Sequence, residues 1–243
     1  MAIVGKKQSL HAYIKEELIE RIKTNVYKIG EQFPTEHDIC EEFNVSRTTV
    51  RIALSQLVQE GYLIRQRGKG SFVAEPKVNQ TLSHTEDRFN QQLKAQGKQG
   101  KIILKKLEVV PARGSKQERF NLTENDPIQK IKRIRLANEE VTQYEIAYVP
   151  WRVAPGLKKE QLEASLYSTL KDTYDISIHK TTETLEITLA DKDVSNYLQC
   201  EIGQPCFYIE TVAEDDTGRV IEFSRSYFRG DKTSFKVERF YDQ

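Results

Sequence analysis

Basic side chains are concentrated in one short stretch of a chain whose overall charge is close to zero. The 243 residues carry a formal net charge of +1, but segment 44–73 contains five basic residues and a single acidic one. The basic residues are Arg47, Arg51, Arg65, Arg67 and Lys69, and the acid is Glu60. Basic side chains neutralise phosphates, and arginine can donate two parallel hydrogen bonds to a guanine edge. Five positive charges less one negative charge leave a local +4, which indicates a nucleic-acid surface confined to this segment.

The residues before this segment have the pattern of two short helices. Apolar residues spaced by four follow Ser9, a residue type that caps helices. Thr35 stands three residues before Asp38, an arrangement similar to a capping box. The sequence therefore predicts one helix beginning after Ser9 and a second helix at 35–43.

A third helix is predicted to carry two of the arginines. Ser46 can cap it, and Val50, Leu54 and Leu57 form its apolar stripe. Gly61 suits the position just after its end, where a left-handed backbone is common.

Two short strands, at 62–66 and 71–74, are predicted to flank the turn "RGKG". Three helices followed by a hairpin describe a winged helix-turn-helix, which inserts the start of its third helix into the major groove. Arg47, Thr48 and Arg51 would project opposite the apolar stripe, with arginine reading guanine and threonine touching a thymine methyl.

The tip of the hairpin and the start of the helix are expected to add phosphate and groove contacts. Lys69 supplies charge, Gly70 permits close approach of the backbone to the minor groove, and the N–H groups near Ser46 can hold a phosphate. The alternative is that Arg47 and Arg51 only solvate a helix face. The agreement of caps, turn and hairpin favours the DNA interpretation.

The stretch "FPTEHDICEEFNVSRTTVRIALSQLVQEGYLIRQRGKGSFV" resembles the DNA-binding domain of the GntR family of bacterial transcription regulators. Its spaced elements follow the family pattern Leu-Pro-Ser-Glu-Arg, Val-Ser-Arg-x-Thr-Val-Arg and Gly-x-Gly-Thr-Phe-Val. His37 stands where the family has its usual DNA-contacting arginine, and a neutral histidine is a weaker phosphate partner. The resemblance implies DNA contacts at His37, Ser46, Arg47, Thr48, Thr49, Arg51, Lys69 and Gly70.

The second half of the chain has the pattern of an α+β domain with a mostly antiparallel sheet. Strands are predicted at 102–110, 128–137, 141–149, 177–189, 205–214 and 219–229, and helices at 114–120, 158–174 (broken) and 191–199. The resulting organisation is a DNA-binding domain at 1–76, a polar linker at 77–88 and an effector-binding and dimerisation domain at 89–243.

This second half resembles the effector domain of the HutC-type branch of the same family, which has a chorismate-lyase-like α+β fold. The matching segments are "LSHTEDRFNQQLKAQGK", "IQKIKRIRLANEE", "YEIAYVP", "SLYSTL" and "IEFSRSYFRGDKTSF". Ligands in that branch include sugar phosphates, amino-sugar phosphates and small organic acids. The segment "LSHTED" resembles members that sense phosphorylated glucosamine or N-acetylglucosamine, as in repressors of N-acetylglucosamine utilisation. Glucosamine 6-phosphate and N-acetylglucosamine 6-phosphate are therefore the favoured effectors.

Alternation along one predicted strand puts Arg133 and Arg135 on the same face, where they can hold an anion. The hydroxyl-rich stretch before Glu86 can offer donors to a phosphate at a helix start. The alternative is a solvated strand face with cross-strand ion pairs. By resemblance, the effector would be surrounded by Ser83, His84, Thr85, Arg133, Arg135, Glu145, Ser165, Tyr167, Glu222 and Tyr227.

Composition excludes several other classes of protein. No apolar run approaches the ~20 residues that span a bilayer, and the N-terminus lacks a secretory pattern. The three cysteines, Cys40, Cys200 and Cys206, have neither metal-ligand nor Cys-x-x-Cys spacing, which is typical of a cytoplasmic protein with buried thiols. No metal or cofactor is expected.

The sequence thus predicts a ligand-responsive repressor that is not an enzyme. One winged helix has too small a footprint on DNA for tight specific binding, so we expect a homodimer on a palindromic double-stranded operator. The C-terminal domain is the expected dimer interface. Three alternatives remain: another sugar phosphate or organic acid as effector, a lyase-like activity in the C-terminal domain, and an architectural DNA binder without an effector.

Overall fold

The computed structural model describes residues 9–81 and 88–237. The chain divides into two compact units, Met1–Lys77 and Val78–Gln243. No helix within the described ranges is long and apolar enough to cross a membrane.

The first unit has three helices and a hairpin, as the sequence predicts. Its elements are α1 (Leu10–Lys23), α2 (Glu36–Phe43), α3 (Arg47–Gln59), β1 (Leu63–Gln66) and β2 (Gly70–Val73). Ile14, Leu18, Ile39, Val50 and Leu57 are fully buried and form the centre of its core.

Two of the three predicted helix caps are confirmed in the first unit. Thr35 and Asp38 form a reciprocal capping box at the start of α2, and Ser46 accepts a hydrogen bond from the backbone N–H of Thr49 at the start of α3. Ser9 does precede α1, but its side chain caps nothing and lies 3.2 Å from His11 Nε2 instead. The prediction of a capping side chain at Ser9 was therefore wrong, although the position of the helix was right.

The hairpin turns where the predicted turn lies. Gln66 pairs with Gly70, and the backbone N–H of Lys69 donates to Gln66 O over 3.1 Å. Gly68 and Gly70 have φ values of +75° and +99°, which side chains with a Cβ rarely adopt.

The second unit is built on a six-stranded, wholly antiparallel sheet with the order β4-β5-β6-β9-β8-β7. All six predicted strands are confirmed, with small shifts at their ends. Their bounds are β4 Gly100–Pro111, β5 Pro127–Ala137, β6 Glu140–Pro150, β7 Lys180–Leu189, β8 Pro205–Glu214 and β9 Val220–Arg229.

The helices of this unit also follow the sequence pattern. They are α4 (Arg88–Ala95), α5 (Ser115–Arg119), α6 (Lys159–Ala164), α7 (Leu166–Tyr174) and α8 (Lys192–Leu198). The helix predicted to be broken is the pair α6 and α7, with the break at Ser165.

Two short strands were not predicted. β3 (Val78–Thr81) pairs in parallel with β10 (Thr233–Lys236). The first four residues after Lys77 are therefore a strand rather than linker, while 82–87 lie outside the described residues. Their partners lie far apart in the sequence, so no turn between them marks the pair in the way that "RGKG" marks β1 and β2.

The sheet has two differently covered faces. On one face, Ile131, Ala147 and Val149 pack against Leu162 of α6 and Leu170 of α7. On the opposite face, residues such as Ile134, Tyr144 and Tyr148 pack against the α8 region and the segment that follows α5. Because side chains alternate along β5, Arg133 and Arg135 share the α6–α7 face with Ile131.

Candidate DNA interface and effector site

The outer side of α3 presents the predicted reading residues. Val50 and Leu54 bury the inner side of the helix, so Arg47 and Thr48 in its first turn are exposed. Arg51 lies one turn further along, and its side chain is 72% exposed. This arrangement can place three donor or methyl groups against base edges while the stripe below fixes the helix.

Ser46 and Thr49 help to build the start of α3. Ser46 Oγ accepts from Thr49 N at 3.3 Å and lies 2.9 Å from Thr49 Oγ1. The two hydroxyls thus bind one another and fix the first turn, whose remaining N–H groups point along the helix axis toward any anion placed there.

The acidic residues near α3 leave the basic character of the outer face intact. Glu60 forms an ion pair of 2.7 Å with Lys15 of α1. Glu36 is 3.9 Å from Arg51 Nε, and both side chains are exposed, so water screens the attraction and Arg51 can exchange this partner for a phosphate or a base.

The tip of the hairpin is anchored to the loop before α2. Gln32 Nε2 donates to Lys69 O over 3.0 Å, and a Cβ at position 70 would lie 3.4 Å from the same nitrogen. This contact fixes the backbone of the tip and leaves the Lys69 side chain exposed.

His37 lies on the first turn of α2 and is exposed, 3.4 Å from Glu41 Oε1. The Glu41 carboxylate competes with any DNA phosphate for the His37 ring. A contact between His37 and DNA stays a prediction.

Sequence reasoning overlooked three further residues on the outer face of α3. Ile52, Ser55 and Gln56 line a shallow open depression together with Thr48 and Arg51. Their helical spacing of four, seven and eight residues from Thr48 was the available signal. Ile52 is an exposed apolar side chain in this setting, suited to a thymine methyl.

In the second unit, the two predicted arginines share one carboxylate. Arg133 Nε donates to Glu145 Oε1 over 3.1 Å, and Arg133 Nη2 binds the same oxygen. Arg135 Nη2 donates to Glu145 Oε2 over 2.8 Å. Burial alone would raise the pKa of Glu145, but the two guanidinium groups outweigh it and hold the pKa at about 2.

The two arginines of this ion-pair cluster differ in their exposure to solvent. Arg133 is only 2% exposed, and its Nη1 also donates to Leu162 O at 3.0 Å, so it is fully engaged within the protein. The side chain of Arg135 is 22% exposed. Arg135 is therefore the better placed of the two to meet an incoming anion, and an anion held by both arginines stays a prediction.

A second buried carboxylate lies on the same face of the sheet. Glu222 is two residues before Ser224 on β9, and Ser226 of that strand pairs with Glu145. Tyr167 Oη donates to Glu222 Oε2 over 3.2 Å. Burial raises the pKa of Glu222 to about 7, and the negative charge of Glu145 adds to the increase.

Ser165 joins α6 to α7 and caps α7. Its backbone is extended, and its Oγ accepts from the N–H of Ser168 at 3.2 Å. Arg133 donates to the carbonyl of Leu162 in α6, and Tyr167 in α7 donates to Glu222. These two hydrogen bonds connect the helix pair to the row of charged residues on the sheet, Arg133, Arg135, Glu145 and Glu222.

Tyr227 and segment 83–85 are the remaining predicted effector residues. Ser83, His84 and Thr85 lie outside the described residues. Tyr227 pairs with Tyr144 on β6 and stacks on it, with ring centroids 6.1 Å apart, so it lies on the opposite face of the sheet. The period of two thus places Tyr227 on the α8 side, away from Arg133 and Arg135, and this placement gives no support to the prediction that Tyr227 packs beside the effector.

Comparison with known proteins matches both units. Residues 10–73 match the family described as bacterial regulatory proteins, gntR family, and residues 95–234 match the UTRA domain. Three relatives align over nearly their whole length.

YurK of Bacillus subtilis, described as an uncharacterized HTH-type transcriptional regulator, is 30% identical over 96% of both chains. A probable fructoselysine utilization operon transcriptional repressor of Escherichia coli is 30% identical over 95% of both. The HTH-type transcriptional repressor NagR of Bacillus subtilis is 29% identical over 96% of both.

A crystal structure of PhnF from Mycobacterium smegmatis superposes with a TM-score of 0.67 at 28% identity, covering 94% of this chain and 100% of that one. These relatives are named as regulators, not as enzymes.

The buried Glu222 gives stability a specific pH dependence. Since its pKa rises from 4.5 to about 7 on folding, its contribution is fully present below pH 4.5 and is lost as the pH rises to about 7. We expect Glu222→Gln to stabilise the second unit by roughly 1–3 kcal/mol near pH 8, and the gain to vanish near pH 5. Trp151, the single tryptophan, lies in this unit, so denaturation followed by its fluorescence measures the effect.

Glu145→Gln is the matched control. It should destabilise by roughly 3–5 kcal/mol, because it leaves Arg133 buried without a counter-ion. The loss should be smaller near pH 8 than near pH 5, because removing the charge of Glu145 also lowers the raised pKa of Glu222, whereas Glu145 itself, with a pKa of about 2, does not titrate in that range. A pH-independent effect of Glu222→Gln would contradict the shifted pKa of Glu222.

Proposed function

This chain belongs to the gntR family of bacterial regulatory proteins and is a transcription repressor with a UTRA ligand-binding domain. From this we propose the kind of operator that it binds, its oligomeric state and the class of its effector. It binds a palindromic double-stranded operator as a homodimer and leaves the operator when a small phosphorylated amino sugar binds the second unit. The observation that carries the proposal is the pairing of an exposed basic outer face on α3 with a buried apolar inner stripe.

The proposed DNA-binding mode follows from the first unit. Arg47, Thr48 and Arg51 read base edges in the major groove, and the N-terminus of α3 holds a phosphate. Lys69 approaches the neighbouring minor groove, where its charge adds affinity for any sequence.

The proposed effector carries a phosphate and an amino sugar. Arg135 and the start of α7 at Ser165 are suited to the phosphate, since one offers a partly exposed guanidinium and the other the N-terminus of a nine-residue helix. Glucosamine 6-phosphate and N-acetylglucosamine 6-phosphate remain the first candidates, because the segment "LSHTED" resembles members of the family that sense them. The likeness to a probable fructoselysine utilization operon repressor makes a fructoselysine-type compound the second candidate.

The proposed homodimer joins the second units through β7. This strand ends the sheet, and in the described part of the chain it pairs with β8 alone. Leu185, Ile187 and Leu189 alternate along it, are exposed, and point to one face, with Ile187 79% exposed. Long apolar edges are ordinarily covered, and a second copy of β7 would satisfy the edge symmetrically.

Substitutions on α3 test the DNA-binding mode. We expect Arg47→Ala and Arg51→Ala each to weaken binding to an operator selected by the wild-type protein by ~1–3 kcal/mol, with little effect on random DNA. Lys69→Ala should weaken both and reduce the salt dependence of binding. Fluorescence anisotropy at several salt concentrations measures this. Lys101→Ala, an exposed cation on β4, is the control, and wild-type affinity in both arginine variants would refute the assignment of α3.

Ile187→Asp tests the assembly. A charge at the centre of β7 should convert the dimer to monomers at micromolar concentration, because a buried unpaired carboxylate is strongly unfavourable. Sedimentation equilibrium gives the mass of each species. Ile202→Asp, an exposed isoleucine in the turn before β8, should stay dimeric. A monomeric wild-type protein would exclude the homodimer, and a dimeric Ile187→Asp would exclude β7 as its interface.

Calorimetry with glucosamine 6-phosphate and N-acetylglucosamine 6-phosphate, with and without operator DNA, tests the coupling. Each ligand should bind more weakly to the DNA complex, and by the same factor as the ligand weakens operator binding. The coupling free energy is typically ~1–3 kcal/mol. Arg135→Gln should lose the response and keep operator binding, since Glu145 retains Arg133. Arg113→Gln, an exposed arginine in the same unit, should behave as wild type. Equal affinity with and without DNA would contradict the coupling.

A further inference from the structure

Ile52 is an apolar side chain on the DNA-reading side of α3. The inner side of the helix packs into the core through Val50, Ala53 and Leu54, whereas Ile52 points outward and is 42% exposed. Isolated exposed isoleucines are common on protein surfaces and need no function. Ile52 differs from them in its position, because it stands among the side chains that are placed to meet DNA.

The side chains around Ile52 are polar. Thr48, one turn before it, and Gln56, one turn after it, line a shallow depression together with Arg51, Ser55 and Ile52 itself. Hydroxyl, amide and guanidinium groups can each form hydrogen bonds with base edges. Among these five lining residues, Ile52 alone has no polar side-chain atom, so it can contact a base only through apolar surface.

The major groove offers an isoleucine a single kind of partner. Guanine, adenine and cytosine present hydrogen-bonding atoms there, and thymine adds a C5 methyl group. Against a ring nitrogen, a carbonyl or an amino group, the isoleucine would displace water without replacing its hydrogen bonds, which is unfavourable. Ile52 therefore favours thymine over the other three bases at the position that it meets.

The helix geometry indicates where this thymine lies relative to the other contacts. Ile52 is five residues after Arg47, which corresponds to about 7.5 Å along the axis of an α-helix. Base pairs are stacked about 3.4 Å apart, so a helix lying along the groove places Ile52 roughly two base pairs from the base read by Arg47. Thr48 directly follows Arg47 and is placed nearer to that base.

We propose that Ile52 is a specificity-determining residue that contacts the C5 methyl group of a thymine in each operator half-site, about two base pairs from the base read by Arg47. This inference rests on the proposed DNA-binding mode and adds to it a base that neither arginine selects. The contact involves no polar atom, so it depends on the methyl group alone.

Replacement of thymidine by deoxyuridine tests the inference, because it removes the methyl group and keeps every hydrogen-bonding atom of the base. An operator selected from random DNA by the wild-type protein is synthesised with one thymidine of a half-site replaced at a time. Fluorescence anisotropy gives the affinity of the full-length protein for each. The base read by Arg47 is the one at which Arg47→Ala no longer discriminates. One replacement roughly two base pairs from it should weaken wild-type binding about fourfold, as expected for one buried methyl group.

Variants identify the side chain that reads the methyl group. Ile52→Ala should bind the thymine and uracil operators equally, with the affinity that the wild-type protein has for the uracil operator. Ile52→Val should keep part of the preference. Ile29→Ala truncates an exposed isoleucine between α1 and α2, and this matched control should keep the wild-type preference. Thr48→Ser, which removes the methyl group of the neighbouring threonine, should keep it as well.

The outcomes separate this inference from the DNA-binding mode on which it rests. The role of Ile52 is overturned if wild-type protein and Ile52→Ala lose the same affinity, if no replacement weakens the wild-type protein, or if the selected half-site has no thymine at that distance. Loss of the preference in Thr48→Ser instead of Ile52→Ala would assign the methyl group to Thr48. In all these cases the reading role of α3 stands as long as Arg47→Ala and Arg51→Ala weaken operator binding. If those two variants bind as the wild type does, the proposed DNA-binding mode fails and the role of Ile52 fails with it.

Discussion

The ion pair between Arg133 and Glu145 is the interaction around which the second unit is organised. Two oppositely charged side chains are buried on one face of the sheet, so each needs the other to be tolerated there. Arg133 also binds a carbonyl of α6, which ties the helix pair α6–α7 to the centre of the sheet. The positions of Ser165 and Tyr167 over the strands follow from that tie.

The first unit depends on apolar packing and helix caps instead. The stripe formed by Val50, Leu54 and Leu57 fixes the rotation of α3, and this rotation decides that Arg47 and Arg51 face outward. The cap at Ser46 fixes where the helix begins. Specific recognition here therefore depends on the core as much as on the residues that reach the bases.

Much of this architecture could be read from the sequence because the local signals are strong. The capping box at Thr35, the stripe of α3 and the alternation of six long strands each identify their element without tertiary information. What alternation could not decide is the pairing between strands. It placed Arg133 and Arg135 on one face, but only the β5–β6 register shows that Glu145 lies opposite Arg133 and binds both arginines. Likewise, only the register of β9 shows that Tyr227 and Glu222 point to opposite faces.

The parallel pair β3–β10 has a consequence for the order in which the chain folds during synthesis. Val78 pairs with Thr233, so the strand that directly follows the first unit in sequence has no partner strand until almost the whole second unit has left the ribosome. The helix-rich first unit has its own core and can fold long before that point. A nascent chain therefore passes through a stage in which the first unit is complete while β3 still lacks its partner strand. Pairing of β3 with β10 is thus among the last steps in forming the second unit.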